Sequence, residues 1–237
     1  MSRKALLAIV LAVFIPLASY LVVKEFTDDN SFLPRRLYYD TVITRLKEGK
    51  EVTDTIWHSA KNIQLTNQLG KRVSLSDLNG KIIVADFFFT HCGSICPTLT
   101  KNMKRLQTAI KLRDERSLVD TSFVHFLSFT VDPERDSPVV LKKYADKHGV
   151  NHDTWWMLTG NKKVIYDFGI HELKLGVPDS STVDSNFIHS EYFVLLDRDR
   201  VVRGYYNGLD TLALNKLSED IIFLMMEKDR KKKTKLF

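Results

Sequence analysis

The chain has 237 residues, of which 27% are charged and 44% are apolar, and these proportions are ordinary for a globular protein. They exclude disordered and fibrous classes for most of the chain, and the length fits one domain of about 150–200 residues with short extensions. The formal net charge is +6, and residues 227–235 alone supply +4 of it without any aromatic residue. This pattern favours a solvated basic tail, assigned to 229–237, over a nucleic-acid-binding surface.

The first segment is long and apolar. Arg3 and Lys4 precede 19 uncharged residues, 5–23, which as a helix would span roughly 28 Å, about the hydrocarbon thickness of a bilayer. A cleaved signal peptide is the alternative, but 17–20 is a poor cleavage site and the apolar run continues past it. We therefore expect 1–23 to be a single-pass membrane anchor with the domain on the exported side, which is the periplasmic face of the inner membrane in a bacterium.

A polar and aromatic stretch, 24–51, is interpreted as a tether between this anchor and a globular domain at 52–228. The domain opens with two short strand-like runs, 63–65 and 73–75, on either side of a turn that contains Gly70. This pattern predicts an N-terminal β-hairpin extension.

The rest of the domain alternates between strand-like and helix-like apolar periods. Strands are predicted at 82–89, 122–131, 154–158, 191–196 and 201–206, and helices at 98–118, 137–148, 162–170 and 212–226. This alternation predicts an α/β fold in which helices cover both faces of a mixed sheet. Because two cysteines directly follow the first central strand, the layout is thioredoxin-like.

The two cysteines of the chain are Cys92 and Cys96, and Pro97 comes directly after the second. Proline favours the first turn of a helix, so the thiols are expected where a strand ends and a helix begins, a position that stabilises a thiolate. Cysteines this close together cannot crosslink distant parts of a domain, and two thiolates are too few for a four-thiolate zinc site. They are a redox pair, a two-thiolate metal site, or both. The alternative is that they are two buried thiols without a chemical function.

A tight metal site needs a third ligand. Thiolates favour Cu(I), and an added imidazole also suits Cu(II). His189 is the best candidate of the seven histidines, because it ends a polar loop just before the strand at 191–196. In a thioredoxin-like sheet that loop lies beside the dithiol, although a histidine there could equally cap a turn. His125 is interpreted as a satisfied core or sheet-face residue and His58 as a surface residue.

Two stretches resemble the signature motifs of the Sco/SenC family, namely FFTHCGSICP at 88–97 and VDPERDSP at 131–138, and His189 stands where that family places its histidine. The resemblance covers roughly 63–226. It implies a thioredoxin-like copper chaperone for the binuclear copper centre of cytochrome c oxidase, with Cys92, Cys96 and His189 as ligands of Cu(I) or Cu(II). Ile188 departs from the pattern, because many members carry there an acidic residue that could orient the imidazole.

These features predict a membrane-anchored copper chaperone that delivers copper to the copper-bearing subunit of cytochrome c oxidase, or prepares the thiols of that subunit. Other copper chaperones or thiol reductants would be further partners, beside the membrane. The alternative is a membrane-anchored thiol–disulfide oxidoreductase without copper delivery, in which Cys92 attacks and Cys96 resolves. A peroxiredoxin-like peroxidase fits less well, because Phe89 occupies the place of the usual Thr or Ser. A non-enzymatic redox or copper sensor would need an output domain.

Overall fold

A computed structural model describes residues 12–20, 33–47, 50–115, 123–176 and 191–234. The chain divides into two compact units, Met1–Leu33 and Pro34–Phe237. In the first unit, residues 12–20 are helical (α1) and exposed. Among the described residues, no helix is both long and apolar enough to cross a bilayer. Most of the anchor predicted at 1–23 lies outside these ranges, so the anchor stays a prediction.

The second unit begins with a two-stranded hairpin, in which β1 (Tyr39–Lys47) pairs antiparallel with β2 (Lys50–Trp57). Much of this hairpin falls within the tether predicted at 24–51, and the compact unit begins at Pro34, not near residue 52. The sequence explains the difference. β-branched residues fill TVIT in β1 and VTDTI in β2, and such residues favour extended strands.

A seven-stranded mixed sheet forms the centre of this unit. Its strands are β3 (Gln64–Asn67), β4 (Arg72–Ser74), β5 (Ile82–Phe88), β6 (Val124–Thr130), β7 (Trp155–Thr159), β8 (Tyr192–Leu196) and β9 (Val202–Asn207). Their lateral order is β4-β3-β7-β6-β5-β8-β9. The β5–β6 and β6–β7 pairs are parallel, and the outer pairs are antiparallel. β3 and β4 form an antiparallel pair where the sequence suggests a hairpin, but they belong to this sheet and are not an extension of it.

Helices pack on both faces of the sheet. They are α2 (Cys96–Glu115), α3 (Pro138–Lys147), α4 (Lys162–Asp167) and α5 (Thr211–Thr234), with a 3-10 turn at Leu75–Leu78 and a π-helical turn at Phe168–Glu172. Successive side chains of β5 point to opposite faces of the sheet, so they contribute to two separate hydrophobic cores. Val84 and Phe88 join α2, α3 and α5 in one core, whereas Ile83 and Phe87 join α4 and the π-helical turn in the other. The predicted α/β fold with a mixed sheet flanked by helices is therefore confirmed.

An ion-pair network holds the start of the second unit against the β8–β9 turn. The Arg203 guanidinium donates to the main-chain oxygen of Pro34 at 2.7 Å and to the Asp197 carboxylate at 2.8 Å. Arg36 lies 3.5 Å from Asp197 and 2.9 Å from Asp199. Since the Arg203 side chain is 4% exposed, its ion pair with Asp197 is buried and not a solvated surface pair.

Candidate metal centre

The end of β5 and the start of α2 bring the two cysteines together, as the sequence predicts. Cys96 is the first residue of α2 and is buried, whereas Cys92 in the preceding loop is half-buried. The main-chain N–H of Cys96 donates to the Cys92 sulfur at 3.4 Å, and the Ser94 hydroxyl oxygen lies 3.6 Å from the same sulfur. The Cys92 sulfur thus accepts one of the N–H groups that a helix start leaves unsatisfied.

The two thiols ionise very differently. Partial burial raises the pKa of Cys92, but hydrogen bonds from the Cys96 thiol and from main-chain N–H groups of Cys96 and Ser94 outweigh it and lower this pKa to about 7. Burial, together with its donation to the Cys92 sulfur, raises the pKa of the Cys96 thiol to about 12. At neutral pH the pair therefore holds one accessible, partly ionised sulfur and one buried, protonated sulfur.

A largely apolar cavity of about 210 Å³ opens beside the dithiol. It is lined by Phe87, Phe89, Cys92, Ser94, Ile95, Cys96 and Leu99. A ligand or partner segment that enters this cavity would reach both sulfurs while excluding water from them.

Asp86 is an ionisable residue inside β5 that sequence reasoning missed. It is 1% exposed, and one of its oxygens, Oδ1, has no hydrogen-bond partner. Burial raises its pKa to about 7, against smaller opposing effects of a hydrogen bond with Ser128 and of the main chain. Its charge also raises the pKa of Cys96. The signal in the sequence is a single acidic residue within the apolar run IIVADFFF.

The second motif, at 131–138, packs directly against the cysteine loop. The main-chain N–H of Val131 donates to Phe88 at 2.9 Å. The Asp136 carboxylate is fully buried and accepts hydrogen bonds from Thr90 and Thr130. Ser137 caps α3 by accepting the N–H of Val140 at 3.5 Å, as its place before Pro138 predicts.

The predicted third ligand lies outside the described residues. His189 falls in 177–190, together with Ile188. In the part of the chain that is described, no group of three or more Cys, His, Asp or Glu side chains could hold a metal ion. The ligand set Cys92, Cys96 and His189 therefore stays a prediction.

Two other histidines differ from expectation. His125 is buried as predicted, but its Nε2 has no hydrogen-bond partner and its ring packs edge-on against Trp156 at 4.4 Å. Burial lowers the pKa of His125 to about 3, so it stays neutral. His58 is not a surface residue, because its side chain is 11% exposed between Asp40 at 2.8 Å and Glu172 at 3.5 Å. The hairpin around it, which the sequence did not reveal, covers this residue.

Comparison with known proteins agrees with this architecture. A family model described as SCO1/SenC matches residues 57–222. A SCO1 protein homolog of Bacillus subtilis is 34% identical over 174 residues, covering 73% of this chain and 86% of that protein.

Solved structures give the same relationship. BsSco, described as a Sco-family cytochrome c oxidase assembly protein with a disulfide switch, has a TM-score of 0.59 and 31% identity, covering 73% of this chain and 96% of that one. Bradyrhizobium japonicum ScoI, solved with copper bound, has a TM-score of 0.52 and 25% identity, covering 69% and 97%. The chain with this dithiol at the end of a central strand therefore belongs to the SCO1/SenC family.

Proposed function

We propose that this chain is a copper-binding chaperone that serves the assembly of the binuclear copper site of cytochrome c oxidase. The observation that carries the proposal is the pair of sulfurs at the start of α2, one of which accepts the Cys96 N–H at 3.4 Å. Soft thiolate side chains are ligands that favour Cu(I). The copper-bound relative ScoI supports copper as the cargo.

The difference between the two thiols suits loading of this cargo. Cys92, with a pKa of about 7, supplies a thiolate for first contact at neutral pH. Cys96, with a pKa of about 12, binds only when the metal displaces its proton. Copper loading therefore releases protons, and the proton count rises as the pH falls below 7.

We further propose His189 as the third ligand. The main-chain oxygen of Glu191 accepts the N–H of Gly208 at 2.7 Å. A Cβ atom on Gly208 would meet the Leu99 side chain at 2.5 Å, so this loop packs on a residue that lines the dithiol cavity. Two residues of chain span at most about 7 Å, and this short separation from Glu191 supports His189 as the ligand.

The proposed cellular setting follows from the sequence. The uncharged run at 5–23 supports a single-pass anchor with the domain on the exported side, which is where the copper-bearing subunit of the oxidase would be met. Copper would pass to that subunit by exchange of ligands at the half-exposed Cys92.

A thiol–disulfide oxidoreductase is the second candidate, and the unequal thiols favour it specifically. In this reaction the Cys92 thiolate attacks a client disulfide, the client sulfur leaves as a thiolate, and the Cys96 sulfur then attacks the mixed disulfide and loses its proton. The client gains two electrons as the protein's dithiol becomes a disulfide. The disulfide switch described for BsSco supports this reading.

The deciding experiment is copper analysis of the reduced full-length protein beside His189→Ala and Cys96→Ser. We expect one copper per chain, a thiolate-to-Cu(II) absorption band, weaker binding in His189→Ala and loss of the band in Cys96→Ser. Turnover on a model disulfide is measured in parallel. A wild-type protein that stays copper-free in excess copper but turns over the disulfide would overturn the chaperone proposal.

A further inference from the structure

We propose that Asp136 is a positioning residue for the dithiol, holding the segment that leads into Cys92 against the sheet and thereby maintaining the hydrogen bond between Cys92 and the start of α2. This inference deepens the proposed function, because it assigns a role at the same cysteine site to a residue that is not itself a ligand.

The Asp136 carboxylate joins three segments of the chain. Its Oδ1 accepts the Thr90 hydroxyl at 2.5 Å, while its Oδ2 accepts the Thr90 main-chain N–H at 3.1 Å and the Thr130 hydroxyl at 2.5 Å. Thr90 lies two residues before Cys92, and Thr130 ends β6. One side chain, 0% exposed, thus links the 132–136 turn and the end of a central strand to the cysteine loop.

The hydroxyl groups of Thr90 and Thr130 each have one hydrogen-bonding arrangement around the carboxylate. A threonine hydroxyl has one hydrogen, and both hydroxyls direct theirs to Asp136, so their oxygens are left as acceptors. The Thr130 oxygen accepts the N–H of Asp132 at 3.1 Å. The Thr90 oxygen lies 3.0 Å from His91 Nδ1, which donates to it in the tautomer that carries the hydrogen there. The carboxylate therefore also orients the residue next to Cys92.

The carboxylate is itself held in place by its turn. The N–H groups of Arg135 and Asp136 both donate to the main-chain oxygen of Asp132, at 3.1 and 2.9 Å. Ser137 then caps α3. Main-chain hydrogen bonds within its own turn thus also position Asp136, in addition to its contacts with Thr90.

The cysteine loop, in contrast, has few attachments of its own. His91, Gly93 and Ser94 are exposed, and the main-chain N–H of Cys92 donates to Phe89 at 3.3 Å. The tie at Thr90 is therefore the buried restraint that directly precedes Cys92. When it is lost, the loop can move away from α2, and the contact between the Cys92 sulfur and the Cys96 N–H weakens.

The test uses two variants on the two sides of the tie and two matched controls. Asp136→Asn replaces one of the two acceptor oxygens with an NH2 group, which cannot accept a hydrogen bond. Thr90→Val removes the hydroxyl with little change of shape. Thr90→Ser keeps the hydroxyl and should restore wild-type behaviour. Asp132→Asn alters a carboxylate of the same turn whose ion pair is with the 69%-exposed Arg135 side chain.

The readout is the rate at which a neutral alkylating reagent labels Cys92 in the reduced, copper-free, full-length protein at pH 7. We expect Asp136→Asn and Thr90→Val to slow labelling about fivefold, because the thiolate loses its main-chain donor. Copper affinity, measured by chelator competition, should fall about tenfold in the same two variants. Both controls should match the wild type.

A folded Asp136→Asn or Thr90→Val protein with wild-type labelling and copper affinity would reduce Asp136 to a structural residue and overturn the proposal. If Asp136→Asn does not fold, Thr90→Val decides. The labelling assay contains no copper, so failure of the wild type to bind copper would defeat the proposed function without touching this result.

Discussion

Replacing Asp86 with asparagine should stabilise the protein at neutral and alkaline pH. Burial raises the pKa of Asp86 from 3.8 to about 7, so the folded protein resists ionisation of this residue. Because the folded pKa lies above the unfolded value, ionisation costs the fold little below about pH 4, and the cost grows as the pH rises towards 7. Three pKa units correspond to about 4 kcal/mol, which is the full cost above about pH 8.

Asparagine removes this cost but introduces an amide that needs partners, at about 1–3 kcal/mol. The amide contribution is the same at every pH. It therefore does not affect how the difference in unfolding free energy between the two proteins changes with pH. We therefore expect the unfolding free energy of Asp86→Asn, relative to wild type, to rise by about 3–4 kcal/mol between pH 4 and pH 8.

The assay is urea unfolding of the reduced, copper-free proteins at both pH values, with the slope m checked for constancy. Asp136→Asn is the matched control, because that buried carboxylate has three hydrogen-bond donors and its loss should destabilise by about 1–3 kcal/mol at pH 8. Parallel pH dependences for wild type and Asp86→Asn, within about 1 kcal/mol, would refute the reasoning.

Three further predictions address the thiols, the wall of the cavity and the start of the unit. At pH 7.5 a limiting amount of iodoacetamide should label Cys92 almost alone, because the pKa of Cys96 is about 12, and peptide mass analysis that finds equal labelling would contradict this. Gly208→Ala should lower stability by about 1–3 kcal/mol, because its Cβ would meet a side chain of α2 at 2.5 Å; a melting temperature equal to wild type would count against that packing. Arg203→Met should lower the free energy of unfolding by about 3–5 kcal/mol, because it leaves Asp197 buried without its closest cation. Limited proteolysis near residue 34 should also become faster, and an unchanged cleavage rate would contradict the role of this ion pair.

The part of the site that could be predicted is the part with local signals. An apolar run of strand length, two closely spaced cysteines and a following proline mark the end of β5 and the start of α2 within seventeen residues, 81–97. The cap of α3 is equally local, because Ser137 and Pro138 are adjacent. Such signals depend on neighbouring residues alone, so a single sequence carries them.

The remainder depends on contacts that the sequence does not encode locally. Thr90 and Asp136 are 46 residues apart, and only the parallel pairing of β5 with β6 brings them together. β1 and the first two residues of β2 fall in the predicted tether, because the charged residues among their β-branched residues obscure the strand pattern. Asp86 was passed over for the converse reason, since one acidic residue in an apolar run does not disturb the strand pattern.

The hydrogen bond from Arg203 to Pro34 lies at the opposite end of the sheet from the thiols. β8 runs antiparallel to β5, with Leu196 opposite Ile83, so the turn that follows β8 lies where β5 begins. The cysteines follow the other end of this seven-residue strand, roughly 20 Å away. The chain thus enters the unit at one pole of the sheet and presents its sulfurs at the opposite pole. A client that docks on the dithiol therefore meets the end of the sheet opposite the ion pair of Arg203 with Asp197.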